Sequence, residues 1–247
     1  MEAEGKIDAE HAIEFLARKR RAILLGGAAV ILHGLSRATK DFDIWLDPYP
    51  ESKVWSEAIE KLLETERSLQ ALRINSLFPG VWTPIAGSEI AAVGKEDGMI
   101  RLVGTDIPLD IFYRPNELEV SDFEKVWERS TPSDRGLRLI GKIDLLVTKQ
   151  LTGRPTDITD IKFLEDRIEE EYRAKLKDCS EQDAKEMLER FATPEIAAYA
   201  IRESGNDKVK QLGWQILEEL RAEGNPFAEE LSRELKAQRH GLDLGRE

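Results

Sequence analysis

The sequence predicts an α/β fold: a small mixed β-sheet with flanking helices over residues 1–140, then a helical C-terminal part over 141–247. Three observations predict it. Short apolar runs, separated by glycine, proline and charged turn residues, recur up to about residue 140. From Lys142 onward the apolar residues recur at helical spacing, with almost no strand signal. Gly205-Asn206 and Gly224-Asn225-Pro226 then cut that second part into helix-length segments.

In chain order, Ala12, Ile13, Phe15, Leu16 and Ala17 fit a helix over 8–20 that lies on the core, with Asp8 as its cap. Residues 22–25 read as a short buried strand. Gly26 and Gly27 break it, and Ala28–Leu32 read as a helix ending near Gly34. Phe42–Leu46 is a strand stopped by Pro48 and Pro50. Residues 53–64 form an amphipathic helix with Val54, Ala58, Ile59 and Leu62 on one side. Strands are expected over Leu72–Leu77, Glu89–Val93, Met99–Val103 and Ile107–Phe112. A short helix from Ser121 carries Trp127, and Leu137–Ile140 adds a strand. Helices follow over 142–151, 156–176, 180–191, 194–204, 207–223 and 226–239, two of them opening with proline at the first position after Thr193 and Asn225.

The 247 residues suffice for one large domain or two small ones, and 41% apolar with 34% charged residues is ordinary globular composition. No apolar run approaches the roughly 18 residues of a membrane helix. Met1–Gly5 is acidic and polar, with no secretory pattern, so the expectation is a cytoplasmic protein that meets no membrane. The single cysteine, Cys179, excludes an internal disulfide and a cysteine-only metal cluster. A net charge of −12 disfavours a wide nucleic-acid surface. The best basic patch, Arg18-Lys19-Arg20-Arg21, reads first as the solvated end of a helix and second as a contact for an RNA end.

The chemistry concentrates in residues 24–47. An apolar run ends in Gly26-Gly27, a short helix follows, and Asp41 and Asp43 then alternate with apolar residues. Strand side chains alternate with period two, so both aspartates face one side. Two such carboxylates suit a magnesium ion, and a glycine turn before a helix suits phosphates. Phosphoryl and nucleotidyl transfer need positioning and charge neutralisation, which two metal ions on two or three carboxylates supply. A third carboxylate is expected from a neighbouring strand. Asp110, a lone acid among apolar residues, is the first choice and Asp106 the weaker one.

This pattern resembles the nucleotidyltransferase superfamily that shares its fold with DNA polymerase β. The resemblance rests on Leu25-Gly26-Gly27, a gap of residues 28–40, then Asp41-Phe42-Asp43-Ile44. It implies that Gly26 and Gly27 hold the triphosphate of an NTP and that Asp41, Asp43 and Asp110 bind two Mg²⁺ ions. The wider wording, with His33-Gly34, Arg37 and Thr39, then Lys149 and Arg154-Pro155-Thr156-Asp157-Ile158-Thr159-Asp160, is similar to minimal nucleotidyltransferases and abortive-infection-toxin-like proteins. That branch implies that Lys149 faces the nucleotide phosphates, and it brings an antitoxin partner as an expectation. The resemblance covers residues 20–165. The acceptor is open between an RNA end, a protein side chain and a small molecule.

Several residues carry plainer readings. His33 is a packed structural residue, or else a base or a phosphate contact. Arg37 contacts phosphates or pairs with an aspartate, since either uses the guanidinium fork. Ser36 and Thr39 serve the turn. Lys149 is a phosphate ligand or a surface lysine, with Lys142 competing. Asp157 and Asp160 read as helix-capping acids paired with Arg154. Asp47 reads as a turn acid and Trp45 as core. A non-catalytic interaction protein on the same fold is the competing function.

Overall fold

The computed structural model describes residues 6–75, 80–150 and 152–243. Met1–Gly5, the Ser76-Leu77 end of an expected strand and Leu151 at an expected helix end lie outside the described residues. Helix α1 spans Ala9–Lys19, and the Asp8 side chain accepts from the Glu10 N–H as its cap. Strand β1 is Ala22–Leu24, α2 is Gly26–Leu32, β2 is Phe42–Leu46 and α3 is Ser52–Thr65. Then come β3 (Gln70–Ile74), β4 (Trp82–Pro84), α4 (Ile90–Asp97), β5 (Met99–Val103) and β6 (Leu109–Phe112). Helix α5 (Phe123–Arg129) precedes β7 (Thr131–Pro132) and β8 (Arg138–Leu139). The rest is helical: α6 (Lys142–Lys149), α7 (Pro155–Leu176), α8 (Glu181–Arg190), α9 (Pro194–Glu203), α10 (Asp207–Ala222) and α11 (Pro226–Asp243).

The eight strands form one sheet in the order β4-β3-β5-β6-β2-β1-β8-β7. It is mixed: β2 runs parallel to β6 and β1 parallel to β8, and the other pairs are antiparallel. Registers align Ile44 with Ile111 and Ile111 with Ile100, all fully buried. That apolar row defines the core face, and alternation sends Asp43, Asp110 and Arg101 to the other face. On the core side Trp55 of α3 donates its ring N–H to the Phe112 carbonyl at 3.3 Å.

Glu89–Val93 is not a strand. Ile90, Val93 and Gly94 bury one face of α4, and a Cβ on Gly94 would meet the Trp55 ring at 2.4 Å. A short apolar run has no period of its own, and packing on α3 decides it here. Gly26 and Gly27 belong to α2 rather than preceding it. The sequence reading omits β4 and β7, the two edge strands; each ends in a proline, which only an edge tolerates.

The chain divides into two compact units, Met1–Leu164 and Glu165–Glu247, whereas the sequence suggested a boundary at 140. The first unit includes α6 because its buried face, Leu145 and Leu146, belongs to that core and Asp144 accepts two bonds from Arg129 of α5. The second unit has its own core of Ala197, Ala198, Leu217, Ala228 and Leu235. Gly213 lets α10 approach α9 closely, since a Cβ there would lie 2.9 Å from the Ala197 carbonyl oxygen. Thr193 caps α9 through the Ile196 N–H, and Asn225 accepts from Phe227 and Ala228 at the start of α11. No described helix is long and apolar enough to cross a membrane.

Candidate functional site

The parallel register of β2 and β6 sets Asp43 beside Asp110. The antiparallel register of β6 and β5 sets Asp110 opposite Arg101. An acid, a second acid and a base therefore form one row across three strands. Arg101 grips Asp110 with two bonds of 2.6 Å, and its Nη2 also lies 3.1 Å from Asp41 Oδ2. The guanidinium lies 4.3 Å from the centre of the Trp82 ring of β4. The lone arginine of β5 mirrors the lone aspartate of β6; alternation marks each as the odd residue of its strand, but only the register sets them opposite each other.

The Asp43 carbonyl accepts from the Leu25 N–H at 2.8 Å, and its carboxylate is left to face the site. Burial, then the like charges of Asp110 and Asp41, push its carboxyl up to about 7, against weaker opposing fields from Lys149 and Arg101. Burial also raises Asp110, with the Arg101 guanidinium pulling the other way. The Asp43 carboxylate faces the first residue of α2: a Cβ on Gly26 would sit 1.8 Å from Asp43 Oδ2. Gly26 also has φ +57°, so glycine is required there twice over. The first N–H groups of α2 have no acceptor within the helix.

On the other side of that glycine pair lies Arg37, whose Nη2 would be 2.9 Å from a Cβ on Gly27. Arg37 pairs with Asp160 through two bonds of 2.8 Å, so its aspartate-pairing reading is the observed one. Asp160 is fully buried and also holds Lys149 Nζ at 2.8 Å. Lys149 reaches Asp157 at 2.8 Å as well, and Thr152 donates to that acid at 2.7 Å. Burial pushes Asp157 up, but those bonds outweigh it and hold the carboxyl below its ordinary range. Lys149 is 6% exposed, which excludes the surface-lysine reading. The sequence paired Asp157 and Asp160 with Arg154; the structure gives them Lys149 and Arg37, with the Lys149 ammonium 2.8 Å from both carboxylates. The Arg154 carbonyl accepts from the Asp157 N–H at 3.0 Å, and the Arg154 guanidinium adds an electrostatic field on Asp157 and Asp110.

Other candidates are absorbed by structure. Asp106 accepts from the Ala9 N–H at 2.8 Å and so serves the start of α1, away from the carboxylate row. His33 Nε2 is 2.8 Å from the Ile140 carbonyl oxygen, a packing role. Thr39 donates to the Asp41 carbonyl and shapes the turn. Asp47 is buried and takes Arg21 at 2.9 Å and Arg20 at 3.5 Å. Arg21 also pairs with Glu124, and Arg18 with Glu14. The basic stretch at the end of α1 is thus largely neutralised by its own acids. Trp45 is fully buried, edge-on to Phe123 at 5.1 Å.

The donor chemistry fits a divalent cation at Asp41 and Asp43: hard carboxylate oxygens on two half-buried side chains close enough to raise each other's field. Among the described residues no group of three or more acids, histidines or cysteines is arranged to hold a metal, and both Asp110 oxygens are engaged by Arg101.

No protein-family model matches the chain. No curated protein matches it either. Among solved structures, a protein from H. pylori whose description proposes a nucleotidyltransferase is similar at TM-score 0.35 and 13% identity, over 93% of this chain and 95% of that one.

Proposed function

We propose that the chain is a metal-dependent nucleotidyltransferase that moves a nucleoside monophosphate from an NTP to a hydroxyl acceptor. The observation that supports this reading is the half-buried Asp43 carboxyl, set against the glycine start of α2 with Asp41 and Asp110 beside it. Asp41 and Asp43 would hold a magnesium ion, which when bound neutralises triphosphate charge and lowers the pKa of the acceptor hydroxyl. Gly26 and Gly27 would offer backbone N–H groups to the phosphates, with no side chain to obstruct them. Lys149 has three N–H donors, two of them spent on Asp157 and Asp160; the third would serve a phosphate oxygen. Arg37, held by Asp160, would line the same phosphate path. The self-neutralised basic stretch of α1 favours a protein side chain or a small molecule over an RNA end as acceptor. A toxin-like role with an antitoxin partner rests on the sequence resemblance alone.

One observation favours the second reading, an interaction protein on the same fold: Asp110 is already paired with Arg101. Thermal unfolding with each NTP, with and without Mg²⁺, separates the two. The expected result is a magnesium-dependent rise for the wild type, about 2.7 kcal/mol at a hundredfold excess over Kd. Asp41→Ala/Asp43→Ala abolishes it. No shift with any nucleotide supports the interaction protein.

A further inference from the structure

We propose that Arg101 is a resident cation of the carboxylate row and that the site takes one divalent cation, on Asp41 and Asp43, rather than two. The inference rests on the reading of Asp41 and Asp43 as metal ligands and deepens it. Its first support is occupancy. Both oxygens of Asp110 accept from Arg101 at 2.6 Å, in the two-point geometry that makes guanidinium–carboxylate pairs strong and directional. A metal on Asp110 would have to break that pair in a buried place, since Asp110 is 6% exposed.

The second support is that Arg101 is held from three directions. Strand register sets it opposite Asp110, its Nη2 reaches Asp41, and the Trp82 ring lies against the guanidinium. A planar cation satisfies all three contacts at once, which a lysine ammonium does not. The third support is charge. Asp41, Asp43 and Asp110 carry three negative charges when ionised, and Arg101 cancels one. The remaining two match one divalent cation; a second would leave the row with an excess of two positive charges. Asp43 has both oxygens open and Asp41 has Oδ1 open, so the donors left over lie together on the β2 side of the row.

Mn²⁺ alone is the probe, counted by calorimetry and by the loss of the free-ion electron paramagnetic resonance signal. The wild type is expected to bind one ion per chain. Arg101→Gln, which removes the charge and the two-point grip, is expected to bind two. Arg101→Lys keeps the charge and is expected to bind one. If Arg101→Gln does not fold, the wild-type count and Arg101→Lys decide. Two ions on the wild type, or one ion on folded Arg101→Gln, overturns the proposal while leaving the metal site standing. No ion on the wild type, or binding that survives Asp41→Ala/Asp43→Ala, overturns the metal reading itself and this proposal with it.

Discussion

The Asp43 carboxyl sits near pH 7 in the folded chain and near 3.8 in its ordinary state, so its proton couples folding to pH. Between those values the folded chain holds a proton that the unfolded chain has released. The contribution to stability is complete below about pH 4 and is lost as pH rises through 7. Each tenfold in proton affinity is worth about 1.4 kcal/mol, so the loss is of the order of a few kcal/mol. The metal-free wild type should therefore lose Tm between pH 4.5 and 7.5, and Asp43→Asn should flatten that part of the profile. An unchanged slope in Asp43→Asn would assign the pH dependence to another group. That Asp41 and Asp43 lie near one another was legible at this scale, because two residues apart at the start of one strand need no partner. Arg101 was not, since its meaning depends on which residue β6 sets opposite it.

At the scale of elements, Asp160 ties the loop after α2 to α6 and α7. It accepts from Arg37 and Lys149 together with no exposure to solvent. Removing one partner of such a buried network leaves unpaired charge and costs about 3 to 5 kcal/mol. Asp160→Asn should lower the urea midpoint accordingly, and Arg37→Ala, more exposed, should cost less. Equal small effects from both would show that solvent already screens the network. The helices of the second unit were legible to within a few residues, since Thr193 and Asn225 act as local caps on the helices that follow them. The strand expected at Glu89–Val93 failed because five residues are too few to show a period of their own, and packing against the Trp55 ring goes with the helix.

For the whole molecule, charge and fold point the same way. The net charge is −12, and the one basic stretch of sequence is spent on Asp47, Glu124 and Glu14. A generic single-stranded RNA should show no binding by fluorescence anisotropy at physiological salt, because the net charge repels phosphates and the Arg18–Arg21 stretch is largely paired. Binding that survived in Arg20→Ala/Arg21→Ala would point to a surface elsewhere on the chain.

By itself the sequence determined what is local. Helix periodicity, caps, turn residues and the alternation of Asp41 with Asp43 all act within a few residues, so one stretch of chain specifies them. The tertiary structure alone decided what depends on meeting across the fold. The register of three strands chose Arg101 as the partner of Asp110, and the approach of α7 gave Asp160 to Arg37 and Lys149. Opposite charges at long sequence separation have many possible partners, and only the packed sheet and helices decide which of them come within reach.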